Sequence, residues 1–541
     1  GSSTLSGTAT QAAVAGTATF NDINLNKVGS SYTLDATATG LTTATSANFN
    51  ISFAAANKLA FNVEPVDTTA GASITPAIKV NILDAFDNLV TSATNSIALA
   101  INNDPATGST LSGTTTVAAV AGIATLSGLS IDKTGTGFTL DATTAGLTTA
   151  TSAGFNINPG VPDHLAYTTA PANTNAGQTI NIIVEVQDAA NNVVPSSTEN
   201  ITLSITTNPG GATLNGTTTV AASSGVATFA VNIEKMANGY IIGVNDDAGV
   251  DGDLALVNSA AFNIANHTKS TLAITTGPAN TVASATMASV VVEIQDDYGN
   301  KVASATDNIA VAILNNAGAG TLTGTTPKAA VAGVATFSDL DINKVGTAYT
   351  LQLTGAGLTA ADSAAFNITP APATKLVITS DPGNQTAGVA LSNIVIELRD
   401  ADDNVVTTDT SNVTLAVNVG SGSLSGTTTV AAVAGIATFS NTIIQTADTG
   451  YTLDVTSGAL TTDTTTAFNI TAAAKSQLAF NVEPSNTVAG VAIAAAITVE
   501  IQDQFGNITA DTDSVTLALN ANPGSSTLSG TATQAAVAGT A

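Results

Sequence analysis

One phrase returns along this chain at the spacing of a whole domain. LAFNVEP begins at Leu59 and again at Leu478, with LAYTTAP at Leu165, LAITTGP at Leu272 and LVITSDP at Leu376 between them. The successive intervals are 106, 107, 104 and 102 residues. Solenoid repeats run to about 20–45 residues, whereas an Ig-type sandwich takes about 100. Each interval therefore holds one domain.

Within an interval the apolar residues alternate. Leu59, Phe61 and Val63 interleave with Ala60, Asn62 and Glu64; Ile78, Val80 and Ile82 interleave with Lys79 and Asn81; Ile97, Leu99 and Ile101 keep the same period. A period of two buries one face of a strand and leaves the other wet, as in antiparallel sandwich sheets. No helical period is apparent. The chain is expected to be all-β, a tandem array of Ig-like antiparallel β-sandwich domains of about seven strands each. The expected boundaries are a partial domain (C-terminal half) at 1–57, complete domains at 58–163, 164–270, 271–374 and 375–476, and a partial domain (N-terminal half) at 477–541. The linkers at 54–57 and 370–373 are short, so the array is expected to be extended and fairly stiff.

Composition narrows the function classes. The 541 residues include no cysteine, which excludes disulfides, thiolate metal sites and cysteine nucleophiles. Acidic residues number 39 against 12 basic ones, a formal net charge of −27. That balance gives no footprint for nucleic acid and opposes anionic membrane surfaces. The longest apolar run, Val488 to Val499, falls short of the about 20 residues of a membrane span.

The turns recur too. The second strand of each unit ends in Asp84-Ala-Phe-Asp87-Asn88, Asp188-Ala-Ala-Asn191-Asn192, Asp296-Asp-Tyr-Gly299-Asn300, Asp400-Ala-Asp-Asp403-Asn404 or Asp503-Gln-Phe-Gly506-Asn507. The fourth position is always Asp, Asn or Gly, which tolerate positive φ, and the leading Asp can bind the amides of its own turn. A structural role is expected for Asp84, Asp188, Asp296, Asp400 and Asp503. No histidine, serine or second carboxylate travels with them, which argues against catalysis. A hairpin of small residues follows, LSGTTTVAAVAGIAT from Leu111, and is read as a tight turn at Gly122. Next comes an aromatic at the start of the penultimate strand: Tyr32, Phe138, Tyr240, Tyr349 and Tyr451. The four tyrosines suit a tyrosine corner, in which the hydroxyl binds backbone a few residues upstream; Phe138 cannot make that bond. The last strand ends in Phe-Asn-Ile, from Phe49, Phe155, Phe262, Phe366 and Phe468. Its Phe and Ile should face the core and its Asn should face out.

Together, LAF-x-x-x-P, Asp-x-x-Gly-Asn, LSGTTTVAAVAGIATF, GYTL and FNI resemble the Ig-like repeats of giant bacterial surface proteins, in the layout of invasin and large-adhesin modules. The resemblance spans essentially the whole chain. It implies an extracellular or cell-surface location and a non-catalytic structural role in a fibre or adhesin stalk. The implied partners are neighbouring repeats of the same polypeptide or like chains. Two alternatives stand beside it: a subunit of an extracellular filament or surface layer joined head to tail through its split terminal domains, and a module binding a cell-surface glycan or protein. For the last, the divergent unit 164–270 is the natural choice.

Other candidate sites are few. His164 and His267 have no counterparts in other units and no zinc-ligand spacing. Asp246, Asp247, Asp251 and Asp253 form an acidic insertion in one unit, whose oxygens could ring a calcium ion although it lacks EF-hand spacing; a solvated loop is the simpler expectation. No other cofactor is implied. No lysine recurs on the first strand, which argues against a general Lys–Asn isopeptide bond. Asn200, Asn367, Asn412 and Asn469 begin glycosylation sequons, which chance supplies freely in a chain this rich in Asn and Thr. Finally, residues 1–18 are repeated at 524–541. That overlap is expected of a 523-residue, five-unit cassette recurring in a longer polypeptide, and sits poorly with subunits that would each supply the same hairpin twice.

Overall fold

The computed structural model describes residues 3–246 and 254–541. Every regular element among them is a β-strand, and no helix is long and apolar enough to cross a membrane. The chain forms two compact units, Gly1–His267 and Thr268–Ala541.

The sandwich that follows Lys375 shows the plan. One sheet holds Lys375–Ser380, Ile394–Arg399 and Ile436–Phe439, with Ile394–Arg399 in the middle. The other runs Gln385–Thr386, Phe468–Thr471, Asp448–Thr456, Asn412–Val419 and Thr429–Ala431, with Asp463–Thr464 on the flank of Asp448–Thr456. The first stretch of each domain thus serves both sheets: Lys375–Ser380 pairs antiparallel in one, and Gln385–Thr386 pairs parallel to Phe468–Thr471 in the other. The sequence alternation decides which side chains meet between them. Ile394, Ile396 and Leu398 face Tyr451, Leu453 and Val455 in one core, and the residues between are left at the surface or half-buried. The sandwiches after Leu59 and Leu272 repeat this order. The one after Leu165 differs: Val226–Asn232 is longer and carries Asn215–Gly216 as a fourth strand of its sheet.

The hairpin of small residues is a two-residue turn. Ala121 and Gly122 have φ of 50° and 77°, and the amides and carbonyls of Val120 and Ile123 bond across it. A Cβ on Gly122 would come 2.5 Å from the carbonyl oxygen of Val90, so the turn has to be glycine where it crosses the neighbouring loop.

The first and last segments carry strands but not closed cores. Leu478 occupies the place of Leu376, yet is 59% exposed where Leu376 is 3% exposed. A first strand is buried only when the tyrosine-bearing sheet lies across from it.

Candidate functional site: the junction between sandwiches

Within each compact unit, the Asp turn sits where one sandwich meets the one before it. Asp503 is fully buried. Its Oδ1 accepts the amides of Phe505 and Asn507 at 2.8 and 2.9 Å, and its Oδ2 accepts the linker amide of Ala473 at 2.8 Å. Asp84, Asp188 and Asp400 make the same three bonds, to linker amides of Ala54, Gly160 and Ala371. Asp296 likewise holds the amides of Tyr298 and Asn300 at 2.9 Å. The fourth residue takes the left-handed conformation throughout, with φ of 65° at Asp87, 63° at Asn191, 75° at Gly299, 63° at Asp403 and 87° at Gly506. Burial pushes the Asp84 carboxyl up. The side-chain and backbone bonds from Asn88, then the amides of Ala54 and Phe86, outweigh it and hold the pKa at about 2.

The fifth residue crosses the junction. The Asn507 carboxamide donates to the carbonyl of Gln445 at 2.7 Å and accepts the amide of Ala447 at 2.7 Å, both in the preceding sandwich. Asn404 reads Asn343 and Val345 at 2.9 and 3.1 Å. Asn192 reads Asp132 and Thr134 at 2.8 and 3.2 Å. Asn88 reads Asn26 and Val28 at 2.8 and 3.0 Å. One side chain thus satisfies a donor and an acceptor of the neighbouring backbone, much as a strand partner would. The Asp carboxylate holds the same carboxamide from behind, at 2.7 Å in Asn507 and 3.0 Å in Asn404. All four asparagines are buried, so these bonds are sheltered from competing water.

The loop that each of these four Asn reads is the one at the corner aromatic, a tyrosine in three of them, and the Tyr240 corner is built in the same way. Tyr451 donates its hydroxyl to the carbonyl of Thr446 at 3.0 Å, Tyr349 to Lys344 at 2.9 Å, Tyr240 to Lys235 at 2.8 Å and Tyr32 to Lys27 at 3.0 Å. Each tyrosine pairs with the Phe of Phe-Asn-Ile, ring centroids 5.8 Å apart for Tyr451 and Phe468. Gly420 makes room for this: a Cβ there would lie 2.1 Å from the Tyr451 ring. Lysines of two of these loops also reach across. Lys27 donates to the carbonyl of Phe86 and Lys344 to that of Asp402, both at 2.5 Å.

The Asn of Phe-Asn-Ile, expected only to face out, has a task there. Its Oδ1 accepts the amide of a left-handed residue just before the aromatic: Ser31, Gly137, Gly239, Ala348 and Gly450, at 2.9–3.0 Å. The strand pairing is irregular at that point in each of the five segments. Asn469 therefore pins the bulge that aims Tyr451, Tyr451 pins the loop, and the loop presents Gln445 and Ala447 to Asn507.

The acidic insertion is only partly in view. Asp247, Asp251 and Asp253 lie outside the described residues. Asp246 ends a strand, is buried, and accepts the amide of Leu254 on Oδ1 at 3.0 Å; its Oδ2 has no hydrogen-bond partner among the described residues. His164 lies beside Asp163 at 3.0 Å.

No family model matches the chain, and no curated protein matches its sequence. Solved structures align with it. An Escherichia coli adhesin, FdeC, is 18% identical over 58% of this chain and 99% of its own, with a TM-score of 0.27. Invasin, a bacterial integrin-binding protein, is 13% identical over 76% of this chain and 79% of its own, at 0.26. Domains 4–9 of the surface layer protein SbsC are 13% identical over 83% and 70%, at 0.18.

Proposed function

We propose that this chain is a structural repeat segment of an extracellular bacterial fibre or adhesin stalk, whose task is to hold successive Ig-like sandwiches in fixed register. The observation that carries this is the Asp–Asn clasp, present at each junction described within the two units and built from a turn whose Asp and Asn recur in all five copies. A chain of binding modules needs a cleft in one unit; a spacer needs the same contact at every joint. The clasp supplies that contact, and without cysteine it does so by hydrogen bonding alone. Immunogold labelling of intact source cells, with antibody raised against the whole chain, tests the proposal. Gold spaced along thin fibres or stalks beyond the envelope is the expected result. Gold confined to a continuous envelope lattice, or to the cytoplasm, would overturn it.

A further inference from the structure

The clasp is constant, but the residue at the third position of the turn is not, and it meets a second element of the preceding sandwich. At the junction after residue 471, the ring of Phe505 lies directly on Gly388. A Cβ there would come 2.2 and 2.4 Å from two of the ring carbons. Gly388 has φ +78° and its amide is tied to the carbonyl of Ile444, at the start of the loop that Asn507 reads. Phe505 packs against the core of that preceding sandwich. At the junction after residue 158, Gly71 has φ +74° and its amide binds the carbonyl of Ile131 in the same way. There the third residue is Ala190, whose Cβ lies 4.0 Å from where a Cβ on Gly71 would be. The seat is built and no ring fills it.

We propose that the third turn residue and the glycine it faces set how tightly each junction closes: Phe505 on Gly388 is an apolar staple added to the clasp, and Ala190 over Gly71 is the same joint left unstapled. These are positioning residues that act through the Asn carboxamide. The staple ties the turn that carries Asn507 to the preceding core, so opening that junction exposes a phenyl ring as well as breaking two hydrogen bonds. Opening the Asn192 junction exposes only a methyl group.

Amide hydrogen exchange on the full chain tests this, because the amides of Ala447 and Thr134 report directly on Asn507 and Asn192. The expected order is slower exchange at Ala447 than at Thr134. Phe505→Ala should speed exchange at Ala447 by about tenfold, the scale expected from exposing part of an aromatic ring on local opening. The core-strand amide of Leu453 should not change, which distinguishes an opened joint from an unfolded domain. Ala190→Phe should slow exchange at Thr134, and this gain does not depend on tolerating a truncation. Unchanged exchange at Ala447 in Phe505→Ala, or at Thr134 in Ala190→Phe, would overturn the proposal.

Discussion

The junctions at Asn192 and Asn507 use one clasp on unequal supports. At Asn507 the loop is held by a tyrosine hydroxyl, the amide bond from Ala447 is 2.7 Å and the carboxylate backs the carboxamide at 2.7 Å. At Asn192 the corner aromatic is Phe138, which offers no hydroxyl; the amide bond from Thr134 is 3.2 Å and the backing contacts are 3.2 and 3.3 Å. Yet the turn amides and the linker amide meet the carboxylate at 2.8–2.9 Å in both. The comparison separates a fixed part, the Asp that folds its own turn, from an adjustable part, the surroundings of the Asn. A fixed clasp keeps the described joints within each unit alike in kind. Variable supports let joints differ in strength without changing the architecture.

The largest expected effect removes the fixed part. Asp188→Ala and Asp400→Ala each strand two turn amides, a linker amide and the Asn carboxamide in a buried site. Each should cost about 3–4 kcal/mol by urea unfolding of the affected sandwich, since buried donors left unpaired cost about 1–3 kcal/mol apiece and relax in part. Equal losses at both sites fit a common clasp; a negligible loss at Asp188 would break the comparison.

Acid should act on the same part. The Asp84 carboxyl is held at about 2, below its ordinary 3.8. A depressed carboxylate contributes stability that is fully present above the ordinary value and is lost as pH falls from there toward about 2. Asp503 is shifted in the same direction: burial raises it, and the bonds from the Asn507 side chain, then the amides of Ala473, Asn507 and Phe505, more than offset that. The urea midpoint should therefore drop between pH 4 and pH 2. Asp84→Asn, weaker from the outset, should show a shallower drop over that interval.

Smaller effects belong to the supports. Tyr451→Phe should cost about 1 kcal/mol, the net worth of one buried hydrogen bond, and should convert the Asn507 loop into the kind found at Asn192. Phe138→Tyr should return up to a similar amount by giving the carbonyl of Lys133 a donor. If Tyr451→Phe is neutral, the hydroxyl does not support the loop.

Much of this was legible in the sequence, element by element. The alternation at Ile78–Ile82 and Ile97–Ile101 marks strands because sheet geometry is local. Asp84 and its counterparts point to a turn because Asx bonding spans only a few residues. What the sequence does not display is that the Asp turn and the tyrosine corner belong to one site. The contacts join residues 58–62 positions apart, across a domain boundary, and no local period encodes which end of a sandwich a loop occupies. One signal was present: the fifth turn residue is Asn in all five copies, at Asn88, Asn192, Asn300, Asn404 and Asn507, although a turn of this shape does not by itself require a carboxamide there. The Asn of Phe-Asn-Ile was underread for a similar reason. Alternation places it on the outer face, and only the bulge beside the tyrosine gives it a partner.

The central claim is that the Asn carboxamide holds neighbouring sandwiches in register. The chain has no cysteine, so a pair of spin labels can be placed at Thr336 and Thr438, exposed residues at matching positions of consecutive sandwiches. Pulsed electron–electron resonance then gives their distance distribution in the full chain, with and without the Asn404 carboxamide. A single narrow distribution is expected, broadening markedly in Asn404→Ala while far-UV dichroism stays unchanged. A distribution that stays equally narrow in the Asn404→Ala variant would contradict it, because the joint would then be fixed by something other than the clasp.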